Sequence, residues 1–400
     1  MLRNTLKLMV EIACLPLMFA LALVGRFTRK RIDVGLGPEP LINNIYHKKA
    51  LERYGYSAQT FVFSVFHLTS EFDVRGDQIL STLPPLVAQI LRPVVAMFYL
   101  YTIAVTRYRM LYIYFNGGPL YATHLLWQLE PLLYRLARVK VVVMAYGSDV
   151  QDMSRSPNLL FKHAMSHDYP RQGSRRVRIC GQIDLWSKHA DHIIGGCEWV
   201  DYMYHWDSLM IAHFSIDTDD WTPAGTAHTT AARGPIRILH APNHRAIKGT
   251  QYFIDAVNRL AAEGFDIELV ILEGMSNAKI RETMASVDIV ADQLVVGWYA
   301  MFAIEAMAME KPVLCYLRED LEQFYQAAGL LRANEIPIIN CSPLDVEDVL
   351  RNLIAERERI ADIGKRSRKY VLDHHSTEAI GKKIDAINRS LNVSPGVSEG

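Results

Sequence analysis

Short apolar runs that read as buried strands alternate with helical patterns along most of this 400-residue chain. The clearest run is Lys140–Ala145 (KVVVMA), which is almost continuously apolar, as expected of a parallel strand covered on both faces. Strands that alternate with helices at this spacing form parallel sheets joined by right-handed crossovers. We therefore expect an α/β protein built from doubly wound, Rossmann-like domains.

The alternation is interrupted once, by a stretch rich in turn-forming and small polar residues between residues 217 and 235. This interruption predicts two domains that face each other across a cleft. The carboxyl ends of their strands should line that cleft, because open α/β sheets bind ligands at this edge. The predicted units are an apolar helix with a basic flank (1–31), a domain at 32–216, a linker at 217–235, a second domain at 236–390 and a flexible tail at 391–400.

The first 31 residues combine an apolar run with a basic flank. Leu8–Val24 is almost wholly apolar, and Arg26, Arg29, Lys30 and Arg31 follow it. A cleaved signal peptide is disfavoured, because no small-x-small site follows the run and the basic cluster lies on its far side. Three interpretations stay open: a short spanning helix, a helix lying in the membrane interface, and an apolar helix buried in the fold. We expect attachment to the inner face of the plasma membrane, with the rest of the chain cytoplasmic.

A second apolar stretch runs from Leu83 to Val105. It contains Pro84, Pro85, Pro93 and Arg92, which argue against an isolated spanning helix. The stretch predicts a pair of helices that covers the core, or a hydrophobic surface that dips towards lipid.

The balance of charges narrows the possible partners. Lysine and arginine together number 43, as do aspartate and glutamate, so the formal net charge is zero. A general nucleic-acid binder needs a basic excess to displace counterions, and no nucleic-acid partner is expected. The five cysteines form no CxxC pair and predict buried thiols in a reducing compartment rather than disulfides or a zinc site.

A basic loop follows the strand predicted at 236–240. Its sequence is HAPNHRAIKGT, with Arg245 and Lys248 just before a helix predicted to begin at Gly249. Backbone N–H groups at a helix start, together with two cations, suit a diphosphate. The alternative is a solvated basic loop with a capping threonine.

A second polar cluster follows the strand predicted at 289–291. Asp292 comes directly after this strand, a turn follows at Gly297, and a short apolar helix carries one carboxylate, Glu305. An unpaired charge among Ala, Met and Ile is costly, so Glu305 is expected to hold a partner. A ribose diol that donates two hydrogen bonds would suit it. The alternative is a structural glutamate that accepts backbone N–H groups of a neighbouring loop.

Together these two clusters resemble a known family. The HAPNHRAIKGT loop, followed by DQLVVGWYAMFAIEAMAMEKPVLCY, is similar to the C-terminal half of GT-B glycosyltransferases of the retaining Glu-x7-Glu class, of the family 4 or group 1 type. The earlier IDTDDWTP resembles the segment that leads into that half. The similarity covers residues 214–320 and is only topological before residue 140.

The resemblance implies a role for each donor-site residue. Lys248 resembles the lysine that neutralises the donor diphosphate, and Arg245 is a second cation for it. Glu305 resembles the second glutamate of the pair, which binds the ribose of the nucleotide. Gly297 stands where the family has the first glutamate, so the sugar-binding task would pass to Asp292 or to a backbone N–H near Gly297.

In the N-terminal half the resemblance is weaker at individual residues. Tyr146 stands where the family often has a histidine near the transferred sugar. Asp149 and Asp292 are the two candidate catalytic carboxylates. Asp149 would bind acceptor or donor hydroxyls; alternatively it caps the next helix. Gly35 and Gly37 resemble the loop that lets the donor phosphate and the acceptor approach the backbone, or else form a simple tight turn.

The activity that the resemblance implies is displacement at an anomeric carbon with a nucleoside diphosphate leaving, without a metal or another cofactor. The nucleotide-sugar is then a substrate, and a membrane-associated helix suits a glycan or lipid-linked acceptor, as in the assembly of a surface polysaccharide. Retention is the family default, although Gly297 leaves the outcome open. Two alternatives remain: a nucleotide-sugar epimerase or hydrolase, and a catalytically silent scaffold that binds a glycan or a partner glycosyltransferase.

Overall fold

The computed structural model describes residues 2–65, 71–79, 85–223 and 234–396. Within these ranges the chain forms two parallel β-sheets, one in each half, with helices between successive strands. The strands are β1 Ile32–Leu36, β2 Ala58–Val62, β3 Val74–Arg75, β4 Tyr108–Tyr114, β5 Lys140–Met144, β6 His192–Gly196, β7 Ser208–Met210, β8 Ile236–His240, β9 Ile267–Ile271, β10 Ile289–Gln293, β11 Val313–Cys315 and β12 Ile339–Asn340.

The helices of the described residues connect and cover these strands. They are α1 Leu2–Phe27, α2 Ile42–Arg53, α3 Pro85–Thr106, α4 Glu130–Leu136, α5 Leu159–Asp168, α6 Arg176–His189, α7 Arg245–Lys248, α8 Thr250–Ala262, α9 Asn277–Ala285, α10 Met301–Ala308, α11 Glu319–Ala327, α12 Val346–Ala355, α13 Glu358–His374 and α14 Thr377–Ser390.

Strand order in both sheets is that of doubly wound domains. The first sheet has the order β3-β2-β1-β4-β5-β6-β7, and the second has the order β12-β11-β10-β8-β9. In each sheet the strands that follow the first one are added on one side of it and then on the other. They are β2 and then β4 around β1, and β9 and then β10 around β8. The predicted α/β architecture with two Rossmann-like domains is therefore confirmed.

The sequence pattern after the strand near residue 111 predicts a helix from about Leu120 to Arg138, but the helix that forms there, α4, spans only Glu130–Leu136. The Glu130 carboxylate accepts the backbone N–H groups of Gly118 and Leu120, both at 2.8 Å. These bonds fold the loop after β4 back over the start of α4, so the loop is not helical. The prediction was wrong because this long-range cap overrides the local helical pattern.

The second apolar stretch forms one helix rather than the predicted pair. This helix, α3, begins at Pro85, a first-turn position where the missing N–H costs little, and it continues through Pro93. The residues before it, 80–84, lie outside the described residues.

The N-terminal helix α1 packs on the first domain along one face only. Met18 is fully buried there, and Tyr101 Oη donates to its carbonyl oxygen at 2.9 Å. Phe27, by contrast, is 83% exposed. By length and composition alone, Lys7–Phe27 could cross a membrane. The helix is therefore not buried on all sides, and a long apolar face remains uncovered.

The C-terminal helix crosses back to the first domain, which differs from the predicted domain boundary. In α14, Ile380 packs in one core cluster with Val34 of β1. Residues 391–396 continue along the same domain, where Gly396 N donates to Asp33 at 3.1 Å. These residues are part of the fold rather than a flexible tail, because they are hydrogen-bonded to the central strands β1 and β4, where Arg109 also donates to the carbonyl of Ser394 at 2.8 Å. Residues 397–400 lie outside the described residues.

The predicted linker is described only at its two ends, since residues 224–233 lie outside the described ranges. At the first end, Lys49 of α2 pairs with Asp217 at 2.8 Å and with Asp220 at 2.6 Å. These ion pairs hold the first end of the linker against α2.

The two domains face each other through the carboxyl ends of their strands. Tyr325 Oη in the second domain donates to the carbonyl of Cys197, directly after β6, at 2.7 Å. Asn158 in the first domain donates to the carbonyl of Val295, after β10, at 2.7 Å. Polar side chains at the ends of these strands are thereby brought together.

Candidate functional site

Lys248 and Asp292 form an ion pair at the carboxyl edge of the second sheet. Lys248 is the last residue of α7, and Asp292 lies near the end of β10. Lys248 Nζ is 2.6 Å from Asp292 Oδ1, and the aspartate side chain is fully buried. A buried charge is costly unless it is paired, so each residue holds the other in place.

The loop that carries Lys248 contains a short helix that the sequence pattern did not indicate. This helix, α7, has four residues and is separated from α8 by Gly249, whose φ is +71°. Glycine suits this left-handed conformation because it has no Cβ. The helix predicted to begin at Gly249 therefore begins one residue later, at Thr250.

His240 fixes the start of this loop. Its Nδ1 donates to the carbonyl of Ala291 at 2.8 Å, which leaves Nε2 to accept from Thr250 Oγ1 at 2.9 Å. Burial lowers the pKa of His240 to about 4, so the ring is neutral at pH 7. The histidine thus joins β8, β10 and α8 without adding a charge beside Lys248.

Glu305 of α10 lies buried beside this ion pair. Asn277 Nδ2 donates to Glu305 Oε1 at 3.1 Å. Burial raises the pKa of Glu305 to about 8; the bond from Asn277 opposes this shift, and the negative charge of Asp292 adds to it. Asp292 therefore contacts Lys248 directly and acts on Glu305 through its charge.

A cavity of about 370 Å³ lies between the domains next to Glu305. Tyr46, Trp221, Asn277 and Arg281 are among the residues that line it. Trp221 Nε1 donates to Tyr46 Oη at 2.8 Å, and the pKa of that phenol is raised by burial and then by the charge of Glu305. The wall of the cavity thus has aromatic, cationic and acidic residues, with Asp220 among the last, and Asn277 connects it to Glu305.

Gly297 cannot hold a side chain in this structure. Its φ is +98°, and a Cβ placed there would lie 2.6 Å from Arg318 Cδ and 2.7 Å from Arg318 Cγ. The backbone N–H of Arg318 also donates to the Gly297 carbonyl at 2.9 Å. The stem of Arg318 therefore occupies the space that a glutamate at position 297 would need.

Arg318 is itself a link between the domains. Its guanidinium pairs with Asp201 of the first domain and with Asp320 of its own domain. Only 8% of the arginine side chain is exposed, so its ion pair with Asp201 between the domains is shielded from solvent. Nothing in the local sequence around Arg318 predicted this role.

Glu198 faces the same inter-domain space from the first domain and was also missed. It lies in a 3-10 turn, Cys197–Asp201, directly after β6. Burial raises the pKa of Glu198 to about 7, Asp201 raises it further, and the charges of Arg318 and Lys248 lower it. The Gly195-Gly196 pair at the end of a buried strand was the available signal, since strand ends carry site residues in such sheets.

The first domain contributes a polar cluster at the ends of three adjacent strands. Asn116, after β4, donates to Glu39 Oε1 at 2.8 Å and to Tyr146 Oη at 2.7 Å. Burial raises the pKa of Glu39, although the bond from Asn116 opposes this. The cluster places a carboxyl, an amide and a phenol at the edge that faces the second domain.

Asp149 has a structural role, but it does not cap the next helix as the alternative prediction had it, since the N-cap of α5 is Asn158. Asp149 is fully buried and accepts the backbone N–H groups of Phe115, Tyr146 and Gly147 at 2.9 to 3.1 Å. Burial raises its pKa to about 7, while these bonds oppose the shift. Because both oxygens bind backbone, Asp149 joins the loops after β4 and β5 and is not available to a sugar.

Gly35 and Gly37 make room for protein rather than for a ligand. A Cβ on Gly35 would lie 2.5 Å from the ring of Tyr108, and one on Gly37 would lie 2.0 Å from the carbonyl oxygen of Phe61. Both glycines are buried by β1 and its neighbours. Their predicted role as a phosphate-binding loop therefore has no open backbone to act through.

Arg245 lies apart from the buried pair. Its guanidinium forms a bidentate pair with Glu273, with distances of 2.9 and 2.8 Å, and 56% of the side chain is exposed. An exposed ion pair stabilises a protein little and exchanges readily with other anions. In this arrangement Lys248, and not Arg245, is the cation nearest to Asp292.

Comparison with solved structures shows the class of fold. Sucrose-phosphate synthase from Thermosynechococcus elongatus has a TM-score of 0.59 at 14% identity, with 90% of this chain and 99% of that chain covered. HepE from Anabaena, solved with UDP, has a TM-score of 0.55 at 13% identity, covering 90% and 100%. An alpha-glucosyltransferase solved with UDP and DNA has a TM-score of 0.52 at 11% identity, covering 90% and 99%.

The chain therefore has the GT-B fold, in which two doubly wound domains face each other across a cleft. No protein-family model matches this sequence, and no curated protein matches it either. At such low identity the similarity establishes the architecture, and the chemistry must be argued from the residues of the site.

Proposed function

We propose that this protein is a glycosyltransferase that transfers a sugar from a nucleotide-sugar to an acceptor bound by the first domain. The observation that carries the proposal is the buried Lys248–Asp292 pair beside Glu305 at the carboxyl edge of the second sheet. In open α/β sheets this edge is where nucleotides bind. The fold and the UDP-bound proteins that share it support the same proposal.

Lys248 is the residue that neutralises the donor diphosphate. In the free protein its ammonium is held by Asp292, and a diphosphate carrying more charge would compete for it. Transfer breaks the bond between the anomeric carbon and a diphosphate oxygen, and forms a bond from that carbon to the acceptor oxygen, which loses its proton. A positioned cation stabilises the negative charge that develops on the leaving diphosphate. Asp292 acts through Lys248, as a positioning residue.

Glu305 is the residue that recognises the ribose. Its raised pKa leaves it largely protonated in the free protein at pH 7. Two ribose hydroxyls that donate hydrogen bonds would favour the carboxylate and lower this pKa. Nucleotide binding should therefore release a proton from the site. The cavity lined by Tyr46 and Trp221 lies on the side of Glu305 where the rest of the nucleoside would extend.

The transferred sugar would lie between the two domains. No carboxylate is present at Gly297, and the preceding N–H groups of this turn are bonded to Lys248 O and Gln293 Oε1. The N–H of Gly297 would therefore be the backbone contact to the donor sugar on the second domain. Glu198 and the Glu39–Asn116–Tyr146 cluster face the sugar and the acceptor from the first domain. We propose a metal-independent reaction for this site, in which protein cations take the part of a divalent ion.

The acceptor is proposed to be a glycan or a lipid-linked sugar at the membrane surface. The uncovered apolar face of α1 would hold the protein on the inner face of the plasma membrane, with Arg26, Arg29 and Arg31 near anionic headgroups. The catalytic cleft would then be cytoplasmic, where nucleotide-sugars are made.

A panel of UDP- and GDP-sugars, followed by release of nucleoside diphosphate, tests the proposal. Each sugar is incubated with the protein in detergent, with and without a membrane lipid extract. We expect one donor to give release that depends on the extract. Release that is independent of any acceptor would instead indicate a hydrolase or epimerase, and neither release nor binding for any donor would indicate a silent scaffold.

A further inference from the structure

The helices α1 and α3 run in the same direction and diverge towards their N-terminal ends. At their C-terminal ends they touch, since a Cβ on Gly25 would lie 2.3 Å from the carbonyl oxygen of Val105. In the middle, Tyr101 Oη reaches the carbonyl of Met18 at 2.9 Å. Towards residues 7–14 of α1, the two helices are separated by a cavity. The pair therefore forms a V that is closed at one end and open at the other.

The cavity in this V has a volume of about 1030 Å³. This is at the upper end of the range for small-molecule sites, about 300 to 1,000 Å³. Its walls are mainly apolar and come from α1, α3 and the loop after β4. Among the lining residues are Val10, Cys14, Phe63, Met97, Phe98 and Leu126.

The two carboxylates in the wall are already paired. Glu11 accepts the backbone N–H groups of His124 and Leu125 at 2.7 to 3.0 Å, and Asp77 pairs with Arg75 at 2.9 Å. The lining cations, Lys7 and Arg92, lie in the N-terminal halves of the two helices, and Arg92 Nε donates to the carbonyl of Ile79 at 3.1 Å. Among the described residues the cavity is therefore mainly apolar, with two cations at the end where the helices diverge.

The open end points towards the catalytic edge of the first sheet. The C-terminus of α3 leads directly into β4, so its N-terminal end lies towards the carboxyl edge of that strand. Tyr121, which lines the cavity, feels the charge of Glu39 in the acceptor-side cluster. The loop after β4 thus contributes Tyr121 to the cavity wall and Asn116 to the cluster with Glu39 and Tyr146.

The outer surface of the same helix is apolar and exposed. On α1, Met9 is 61% exposed, Ile12 51% and Val24 55%. Exposed apolar surface of this extent on one helix marks a membrane or protein contact. Because the cavity opens beside this surface, a membrane lipid could enter it without crossing water.

We propose that the cavity between α1 and α3 binds the hydrocarbon chain of a lipid phosphate that carries or becomes the acceptor. The inference rests on the proposed glycosyl transfer and names its acceptor class. The chain would lie between Cys14 and Met97, with the phosphate near Lys7 and Arg92 and the reacting hydroxyl directed towards the Glu39 cluster.

Photocrosslinking tests this assignment without the need for the natural acceptor. The probe is farnesyl monophosphate with a diazirine at the tail end, mixed with the full chain in detergent micelles, and labelled peptides are mapped by mass spectrometry. In the wild type we expect labelling at residues 10–14 and 94–98. Excess farnesyl phosphate should compete with the probe, and farnesol should compete less well.

Two variants that fill the cavity from opposite walls sharpen the test. Cys14→Trp on α1 and Ala122→Trp in the loop should each reduce labelling at least about tenfold, the loss expected when a fitted chain is excluded. Ile12→Trp is the matched control, because it adds the same ring to the exposed face of α1. Binding of UDP, measured in parallel, should be the same in all four proteins.

The outcomes separate the two proposals. Equal labelling of Cys14→Trp, Ala122→Trp and the wild type, or labelling confined to the exposed face of α1, would overturn the lipid site. Absence of UDP binding in the wild type would overturn the glycosyltransferase proposal, while the crosslinks would still decide whether the cavity holds a lipid chain.

Discussion

At the scale of single residues, the donor site depends on an ion pair that must open. Lys248 lies 2.6 Å from Asp292 and would have to exchange this carboxylate for a diphosphate. Before the ligand binds, the contact with Asp292 keeps the lysine side chain extended towards the proposed site. The pair therefore prepares the site, and its position was visible in the sequence as a lysine before a helix glycine and an aspartate at a strand end.

Removal of the Lys248 charge should raise the dissociation constant of the donor more than about tenfold. This change corresponds roughly to the binding free energy of one charge-assisted hydrogen bond. Because Lys248→Ala leaves Asp292 buried without its partner, the double variant Lys248→Met with Asp292→Asn is measured as well. Calorimetric titration with the preferred nucleotide-sugar gives the dissociation constants. Lys279→Ala is the control, since this lysine is exposed on α9 and forms an ion pair with Glu282 on the same helix. Donor affinity equal to that of the wild type in both Lys248 variants would contradict the assignment.

A side chain at position 297 should destabilise the protein. In Gly297→Ala the new methyl group meets the stem of Arg318 in addition to the unfavourable φ of +98°. Gly264→Ala is the matched control, with a φ of +92° but no atom within 4 Å of a Cβ. The control should lose about 1 kcal/mol from backbone strain alone, and Gly297→Ala should lose more. Urea unfolding measures both, and equal losses would show that Arg318 yields without cost.

Residue prediction from the sequence succeeded where a local pattern existed and failed where contacts were long-range. Lys248, Asp292 and Glu305 each follow a strand or lie on a helix with a recognisable pattern, and the structure pairs the first two directly. The role of Arg318 could not be predicted in this way, because its partner Asp201 lies 117 residues away in the chain. Glu198 had only the indirect signal of the Gly195-Gly196 pair before it. Asp149 looked like a site residue because it follows a buried strand, but its oxygens are used by the backbone.

At the scale of elements, α1 belongs to the first domain and also presents an exposed apolar face, which we propose contacts lipid. Deletion of residues 1–31 would uncover Tyr101 and the other α3 residues that pack beneath Met18. Truncation would therefore confuse loss of membrane binding with loss of stability. Substitution on the exposed face separates the two effects.

The triple variant Met9→Ser, Val24→Ser, Phe27→Ser should lose binding to anionic lipid vesicles while its melting temperature stays close to that of the wild type. These side chains are 61%, 55% and 83% exposed, so the fold gains little from them, whereas each buried CH₂ group contributes about 0.8 kcal/mol to insertion into lipid. Leu344→Ser, on a residue of the second domain that is 96% exposed, is the control for removal of surface apolarity. Undiminished vesicle sedimentation of the triple variant would show that α1 does not hold the protein on membranes.

The apolar pattern of the sequence predicted the extents of most strands and helices. The helix near residue 130 is an exception with a physical cause. The strand near 140 was recognised because both of its faces are buried. The helix near 130 was extended too far towards its N-terminus because the Glu130 cap on Gly118 and Leu120 cannot be seen in a local window.

At the scale of the whole molecule, the two domains are joined by a crossing that the sequence did not indicate. The amphipathic pattern of α14 shows that one face is buried, but not which domain covers it. In the structure, Ile380 packs against the first sheet, while Ile216, in the segment that leads to the second domain, is hydrogen-bonded to the backbone of His375 and Thr377. Long-range order of this kind depends on the packing of the complete chain.

Buried histidines at this crossing should make stability depend on acid pH. Burial lowers the pKa of His47 to about 4 and of His213 and His375 to about 3. In the unfolded chain these residues titrate near about 6.5, so below that pH the unfolded state binds more protons and stability falls. The contribution is present above pH 6.5 and is lost as the pH falls towards 4.

The variant His213→Phe tests this explanation, because the ring lies between Trp199 and Phe214 at centroid distances of 5.3 Å from each. The melting temperature of the variant should fall less steeply between pH 6.5 and 4 than that of the wild type. Identical slopes for the two proteins would assign the acid sensitivity to other groups.

A crystal structure of the protein with UDP is the measurement that bears most directly on the proposed site. We expect the diphosphate within hydrogen-bonding distance of Lys248 Nζ, the ribose hydroxyls on Glu305, and the 2.6 Å contact between Lys248 and Asp292 lengthened. UDP bound elsewhere, with that contact intact and Glu305 still paired only with Asn277, would contradict the proposal that these residues bind one nucleotide.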